Sequence, residues 1–320
     1  MTNHTNVSEF ILLGLGDFSK AQVLLFSFFL VIYIVTMAGN FLIVMLVVTD
    51  QHFHTPMYIF LGNLAFLEAC CSSTVIPKML VILLTGDNRI LFKACFIQFF
   101  IFACLGGAEC YLLAMMSYDR YLAICKPLHY ASLMNGKLSF YLAAVSWASG
   151  LLVSTSLSLN ISQLSFCGPN EIDNYFCDVT FDLREISCSD TYLSELSSFI
   201  FACIFTLPPL VLILTSYISI IVTILRMPSI TGKQKAFSTC SSHLIVVGLY
   251  YGTLMLVYLL PRTKKLTHVK KFFSLFYTAL SPMINPLIYS LRNNEVKFAL
   301  SSGLERLILC MTHHNVKFWK

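Results

Sequence analysis

The chain alternates between long apolar stretches and short polar segments, and this pattern predicts its membrane-spanning helices. Seven stretches are long enough to cross a hydrocarbon core of roughly 30 Å. They lie at residues 23–48, 57–84, 95–125, 140–159, 197–225, 236–260 and 272–291. Their apolar residues run on without the alternation of barrel strands, which favours helices. The pattern therefore predicts an all-α membrane protein whose fold is a seven-transmembrane helix bundle.

The segments outside the bundle are short, so the domain organisation follows from the spans. Residues 1–22 are predicted to be an extracellular N-terminal tail, and residues 23–291 the bundle, with a long second extracellular loop at about 161–193. After the bundle, apolar residues recur at helical spacing with charged residues between them. Residues 292–320 are therefore predicted to form a short amphipathic helix on the cytoplasmic membrane surface, followed by a tail.

The orientation of the bundle rests on two candidate glycosylation sites near the start of the chain. Lys and Arg divide almost evenly between the two sides of the membrane, so the usual cytoplasmic excess of positive charge does not decide it. Asn3 and Asn6 each begin an Asn-X-Ser/Thr acceptor, which is used only on the lumenal side. We therefore expect a multi-pass glycoprotein of the plasma membrane with an extracellular N-terminus.

Four cysteines gather at the outer end of the third span and in the long loop, namely Cys95, Cys167, Cys177 and Cys188. Four cysteines on one side of a membrane predict two disulfides in an oxidising compartment, and three pairings are open. We favour Cys95–Cys177, which would tie the loop to the third span, and Cys167–Cys188. The second would close about 20 residues and contribute about 3 kcal/mol.

Composition leaves no room for an aqueous domain and offers no catalytic signature. Hydrophobic residues make up 57% of the 320 residues and charged residues only 12%, whereas a soluble domain carries about 25% charged residues. The sequence holds no glycine-rich phosphate loop and no recognisable nucleophile–base pair. Its basic cluster at residues 262–265 falls outside the cell in this topology, which argues against nucleic acid. We expect a non-enzymatic protein of the lipid membrane.

Two acidic residues fall near the middle of apolar spans, where a charge is expensive and needs a reason. Glu68 lies in the second span and Glu109 in the third, and Asn40 and Asn285 fall in the first and seventh. These four predict either an oxygen-rich site for Na⁺ or two neutral acids joined by hydrogen bonds. Both interpretations stay open, and no other cofactor is expected.

The outer half of the bundle is predicted to hold a ligand. Its candidate lining is aromatic and aliphatic with a few hydroxyl and thiol groups, which suits a small, mostly apolar, neutral molecule. An amine ligand would require a carboxylate in the outer third span, and there is none. The candidates are Phe102, Cys104, Gly106, Phe201, Ala202, Phe205, Tyr251, Leu254, Met255, Tyr258 and Thr278.

A set of motifs resembles the odorant receptor family of rhodopsin-like G-protein-coupled receptors, in its larger, tetrapod-type branch. The resemblance covers nearly the whole chain, and the motifs occur in order across all seven spans. They are TPMY at residues 55–58, MSYDRYLAIC at 116–125, KPLHY at 126–130, KAFSTCSSH at 235–243 and PMINPLIY at 282–289. Departures are small: Phe53 stands where Leu is usual, Ala65 where Ser is usual, and Glu68 where Asp is common.

The resemblance implies a sensory receptor that binds an odorant and activates a stimulatory G protein, which raises cyclic AMP. It implies a tether at Cys95–Cys177 and a cation site at Glu68 and Glu109. The implied cytoplasmic switch consists of Asp119, Arg120, Tyr121, Tyr217, His243 and Tyr289. By itself the Asp119–Arg120 pair leaves two interpretations open: a solvated pair at a helix end, or a breakable ion pair at the inner boundary of the third span that biases a switch.

Two other classes of function compete with olfaction. A seven-span receptor for a non-odorant metabolite or steroid would have the same sequence features. A secondary transporter is a more distant alternative, in which the buried acids would carry protons or ions. Many transporter folds show internal repeats, and none is visible in this sequence.

Overall fold

The computed structural model describes residues 8–16, 21–167, 170–178, 186–258 and 264–292. Seven long helices occupy these ranges, one for each predicted span. They are α1 Gln22–Thr49, α2 Pro56–Thr85, α3 Phe92–Cys125, α4 Gly136–Ser162, α5 Tyr192–Arg226, α6 Ile230–Tyr258 and a composite α7 made of Lys264–Leu275, the π-helical turn Phe276–Leu280 and Ser281–Arg292. Short helical segments at Gln51–Phe53, Pro127–His129 and Tyr130–Leu133 lie in the loops that join α1 to α2 and α3 to α4.

Local sequence signals account for several helix ends. Pro56 opens α2 at the first helical position, where its missing N–H costs nothing. Gly86 ends the same helix in the left-handed conformation with φ of 74°, which glycine adopts without steric cost. Asn135 caps α4, because its side-chain oxygen accepts a hydrogen bond from the backbone N–H of Leu138 at 2.9 Å.

Two helices extend well beyond the apolar stretches that predict them. The sixth span is predicted from residue 236, but α6 begins at Ile230; the seventh is predicted from residue 272, but α7 begins at Lys264. In both cases the added turns are polar or basic, so helix continues past the apolar boundary. Within the described part of the chain, α1 to α6 are each long and apolar enough to cross a membrane.

Helix α3 forms the centre of the bundle and packs against α2, α4 and α5. Its contact with α4 is closest where two glycines meet, at Gly107 and Gly150. A Cβ at Gly150 would lie 2.8 Å from the backbone nitrogen of Ala108 and still closer to the carbonyl oxygen of Cys104. The absence of side chains at this crossing therefore sets how near the two helices approach.

The segment that the sequence predicts as an N-terminal tail forms part of a small sheet over the outer end of the bundle. Strand β1, Glu9–Leu12, pairs antiparallel with β2, Arg89–Leu91, and parallel with β3, Glu171–Ile172. Phe10 is fully buried and stacks on Phe92 at 5.5 Å between ring centroids. Residues 1–7, with Asn3 and Asn6, and residues 293–320, with the predicted amphipathic helix, lie outside the described residues.

Candidate ligand chamber and cytoplasmic switch

The long loop between α4 and α5 folds inward as a lid over one end of the bundle. A disulfide joins Cys95 at the start of α3 to Cys177, with their Cα atoms 5.3 Å apart. Gln98 reinforces this link, because its side-chain oxygen accepts a hydrogen bond from the Cys177 N–H at 2.9 Å. The two residues before Cys177, Tyr175 and Phe176, are consequently buried among the helices. The structure also forms the second disulfide within the loop, Cys167–Cys188.

The lid meets three residues of the bundle at the predicted ligand chamber. The ring centroid of Phe102 on α3 lies 5.0 Å from that of Phe176 and 5.7 Å from that of Tyr277 on α7. The hydroxyl groups of Tyr175 and Thr278 form a hydrogen bond of 2.8 Å. Phe102 and Thr278 are thus brought together, while Tyr175, Phe176 and Tyr277 are lining residues that the sequence reasoning missed.

A carboxylate reaches the outer end of this chamber from the loop rather than from α3. Asp178 is only 2% exposed and accepts a hydrogen bond of 3.1 Å from the hydroxyl of Tyr258 on α6. The hydroxyl of Tyr277 lies 3.5 Å from that of Tyr258. Asp178 directly follows Cys177 in sequence. The predicted Cys95–Cys177 disulfide therefore already indicated that Asp178 lies close to the end of α3 that carries Cys95.

Two tyrosines of α6 form the floor of the chamber by bonding to the backbone of α3. The hydroxyl of Tyr250 donates to the carbonyl oxygen of Gly106 at 2.8 Å and lies 3.3 Å from the sulfur of Cys110. The hydroxyl of Tyr251 donates to the carbonyl oxygen of Cys110 at 3.3 Å. Gly106 and Tyr251 were predicted from the sequence, whereas Tyr250 and Cys110 were not.

The remaining predicted lining residues are not all gathered at this chamber. Cys104 belongs to the face of α3 that packs on α4, since its carbonyl oxygen approaches Gly150. It therefore lies on a different side of α3 from Phe102 and Gly106, as two residues of spacing require in a helix. On α5, Phe201 and Phe205 are half-buried and Ala202 is exposed; on α6, Leu254 is half-buried and Met255 is exposed.

The four residues of the predicted ion site are all buried, in the part of the bundle where α1, α2, α3 and α7 meet. The side-chain NH₂ of Asn285 donates to a carboxylate oxygen of Glu68. The NH₂ of Asn40 donates to the carbonyl oxygen of Pro282 at 3.0 Å. The charges of Glu68 and Glu109 are close enough to interact.

This site contains oxygen atoms that suit a hard cation. Within the described part of the chain, the buried side-chain oxygens of Asn40 and Asn285 have no hydrogen-bond partner, and the same holds for the hydroxyl of Ser72 on α2. Buried polar atoms are normally satisfied, so each such oxygen requires an explanation. Carboxylate and amide oxygens are ligands that hard cations accept.

At the opposite end of the bundle, which is predicted to be cytoplasmic, Asp119 is held between two partners. Its carboxylate lies 3.9 Å from the guanidinium of Arg120 and accepts a hydrogen bond of 2.7 Å from the hydroxyl of Tyr130. Burial, together with the nearby Asp119 charge, raises the pKa of Tyr130, which keeps its hydroxyl protonated and able to donate. Tyr130 is therefore a partner of Asp119 that the predicted switch set did not include.

Two residues of the predicted switch are in contact between α5 and α6. The hydroxyl of Tyr217 lies 2.5 Å from Nδ1 of His243, and both side chains are buried. Arg120 is close enough for its charge to act on His243. Tyr121 is half-buried, with the ammonium of Lys126 lying 5.9 Å from its ring centroid. The side chain of Tyr289 lies outside what the structure describes.

Known proteins similar to this chain identify its family and its fold. A family model described as "Olfactory receptor" matches residues 29–306. Human olfactory receptor 10A7 is 49% identical over 96% of this chain and 97% of its own length, and mouse olfactory receptor 1M1 is 44% identical over 96% and 97%. Squid rhodopsin has the same fold, with a TM-score of 0.67 at 18% identity over 91% of this chain and 87% of its own.

These comparisons confirm the predicted family and fold class. They also confirm that the protein is a receptor and not an enzyme, since the family consists of G-protein-coupled receptors. The family match reaches into all seven helices and covers the residues of the candidate chamber and of the candidate switch. The chain belongs to the olfactory receptor family.

Proposed function

We propose that this receptor binds a small, mostly apolar volatile odorant in the outer chamber and activates a stimulatory G protein, which raises cyclic AMP. The observation that carries the proposal is the position of the chamber floor. Tyr250 on α6 bonds to Gly106 on α3, and the same two helices carry His243 and Arg120 at the cytoplasmic end. A ligand that disturbs the floor therefore acts on the helices that hold the switch.

The coupling distance along α6 is short. Tyr250 and His243 are separated by seven residues, which in a helix is two turns, or roughly 10 Å. An odorant favours the active state only to the extent that it binds that state more tightly than the inactive one. In this mechanism the inactive state is the one held by the Tyr250–Gly106 and Tyr217–His243 contacts. Separation of these contacts lets α6 move away from α3.

Arg120 is proposed to contact the G protein once the switch opens. In the closed arrangement its guanidinium faces Asp119, which Tyr130 also holds. Outward movement of α6 exposes the cytoplasmic end of α3, so a helix of the G protein gains access to Arg120. Arg120 then loses its contact with the Asp119 carboxylate and contacts the G protein instead.

Substitution of Arg120 tests this mechanism directly. We expect Arg120→Ala to abolish the odorant-driven rise in cyclic AMP while the receptor still reaches the cell surface. Arg226→Ala is the matched control, because Arg226 is an arginine at the cytoplasmic end of α5. A cyclic AMP response that persists in Arg120→Ala at equal surface expression would remove Arg120 from this role.

The proposed location is the plasma membrane, with the N-terminus outside and sugars on Asn3 and Asn6. An epitope placed before β1 is then labelled on intact cells. Treatment with a glycosidase lowers the apparent mass of the wild type, but not that of the Asn3→Gln, Asn6→Gln double variant. Labelling only after permeabilisation would reverse the topology.

We further propose that Na⁺ binds among Glu68, Glu109, Asn40 and Asn285. The unpartnered oxygens of Asn40 and Asn285 support this proposal over two neutral acids joined by hydrogen bonds. Na⁺ bound to these four residues would hold α1, α2, α3 and α7 together in the arrangement of the closed bundle, so we propose that it favours the closed state. Replacing NaCl with choline chloride at constant ionic strength should therefore raise odorant potency in the wild type and not in Glu68→Gln. Equal potency of the wild type in both salts would favour the neutral acids.

A further inference from the structure

The ends of α3 and α5 opposite the lid meet closely, and each carries a basic residue. The thiol of Cys125 lies 3.2 Å from the hydroxyl of Thr223, so the last turns of the two helices are in contact. Lys126 directly follows Cys125, and Arg226 ends α5 about one turn beyond Thr223. Both basic side chains are exposed. Two long cationic side chains therefore extend from the same helix junction.

Two tyrosines of α3 form an aromatic wall next to this junction. The rings of Tyr118 and Tyr121 stack with their centroids 6.2 Å apart, and both side chains are half-buried. They precede Cys125 by seven and four residues, which places all three on nearly the same face of α3. The ammonium of Lys126 lies 5.9 Å from the centroid of the Tyr121 ring. This contact holds the Lys126 charge close to the junction.

Arg226 also continues an exposed apolar row on α5. Ile218 and Val222 precede it at intervals of four residues, so the three side chains lie on one face of the helix. Ile218 is 61% exposed and Val222 is 41% exposed, which indicates that this face is turned toward lipid. A long basic side chain at the end of a membrane helix extends to the level of the lipid headgroups. The row therefore offers a surface for an acyl chain directly beside a cation.

The sequence around the junction supplies no acidic residue to neutralise these cations. Residues 120–137 and 218–243 contain six lysines or arginines and no aspartate or glutamate. Asp119, the nearest acid in sequence, is buried and is held by partners inside the bundle. Among the residues that the structure describes, neither Lys126 nor Arg226 is in an ion pair. The junction is therefore complementary to an anion.

We propose that the junction of α3 and α5 binds the phosphate headgroup of an anionic phospholipid. Lys126 and Arg226 donate hydrogen bonds to the phosphate oxygens, and an acyl chain lies along the exposed row of α5. Basic pockets between membrane helices on the cytoplasmic side recognise such headgroups. The lipid connects α3 to α5 and not to α6, so it stabilises the bundle without opposing the proposed movement of α6. The inference rests on the proposed topology only in assigning the lipid to the inner leaflet.

A simpler account is that the two cations only complement the negative ends of two helix dipoles and add to a diffuse positive charge. Anionic lipid would then be attracted equally by any basic residue at this end of the bundle. The two accounts differ in whether the position of the charge matters. Variants that remove the same charge from different positions therefore distinguish them.

Native mass spectrometry of the purified full-length receptor in a neutral detergent measures lipid binding directly. The receptor is titrated with phosphatidylserine, a phosphatidylinositol bisphosphate, neutral phosphatidylcholine and soluble inositol trisphosphate. We expect both anionic lipids to bind more tightly than phosphatidylcholine and than the soluble headgroup. Lys126→Gln and Arg226→Gln should each weaken binding of the anionic lipids roughly fivefold, and the double variant roughly thirtyfold.

The matched control is the double variant Lys137→Gln, Lys233→Gln, which removes the same charge from the starts of α4 and α6. It should bind anionic lipid nearly as well as the wild type, and so should Lys126→Arg, which keeps the cation. Three results would overturn the proposal: equal binding of phosphatidylcholine, equal binding of the soluble headgroup, or equal losses in the control and in the double variant of the junction.

The measurement in detergent does not depend on which side of the membrane the junction faces. Epitope labelling that reversed the topology would refute the proposed orientation and leave a lipid site that faces the outer leaflet. Unchanged lipid binding in the double variant of the junction would refute the site and leave the proposed topology and signalling intact.

Discussion

The contact between Tyr250 and α3 gives the sharpest test of how the receptor stays inactive. The Tyr250 hydroxyl donates to the carbonyl oxygen of Gly106 at 2.8 Å and lies 3.3 Å from the sulfur of Cys110. Tyr250→Phe removes only this hydroxyl and keeps the ring. The variant therefore separates the hydrogen bond from the packing of the side chain.

The magnitude follows from the value of one hydrogen bond between helices. Such a bond contributes about 1 kcal/mol net, or somewhat less within a membrane. If the bond exists only in the closed state, its loss shifts the closed-to-open ratio about fivefold. The expected result is a rise of about fivefold in ligand-independent cyclic AMP per receptor at the cell surface.

Cyclic AMP measured without odorant and normalised to surface epitope labelling gives this quantity. Tyr33→Phe is the matched control, because the Tyr33 hydroxyl bonds to Ser73 at 3.1 Å between α1 and α2. These two helices are not part of the proposed movement, so the control should leave basal activity unchanged. Unchanged basal activity in Tyr250→Phe at normal surface expression would refute the idea that this bond favours the closed state.

Two further predictions concern the bundle and its outer cover. Gly150→Ala should greatly reduce surface expression, because the new Cβ meets the α3 backbone. Gly248→Ala is the control and should not reduce it, because open space surrounds the new Cβ at that position. Equal surface expression of the two variants would contradict this packing. Lys271 pairs with Asp173 at 2.5 Å and donates to the carbonyl oxygen of Gly14, which ties α7 to the lid and to the N-terminal segment. We expect Lys271→Met and Asp173→Asn each to lower odorant potency several-fold. The double variant should lose less potency than the two single losses combined. A loss in the double variant equal to the two single losses combined would show that the pair does not act together.

The spans could be predicted because hydropathy is a local property. A window of about 20 apolar residues contains all the information needed to place a membrane helix. The same reasoning marked Glu68 and Glu109 as acidic residues whose place in an apolar span needs an explanation, since lipid does not tolerate a charge. It could not place the ends of α6 and α7, because a helix that has left the membrane continues for as long as its own hydrogen bonds and packing support it.

The lining of the chamber was only partly predictable. Phe102, Gly106, Tyr251 and Thr278 were identified by their depth in the spans. Depth does not fix the direction in which a residue faces, so Cys104 was grouped with them although it lies toward α4.

The sequence by itself determined that the chain is a bundle of seven membrane helices with acidic groups inside, because each of these features depends on residues that are neighbours in the chain. Only the tertiary structure decided that Asp178 enters the chamber and that β1 pairs with segments about 80 and 160 residues away. Such contacts join residues that are distant in sequence, and they form only after the helices have packed and the disulfide has fixed the loop. Their partners are therefore set by the geometry of the whole bundle and not by any local pattern.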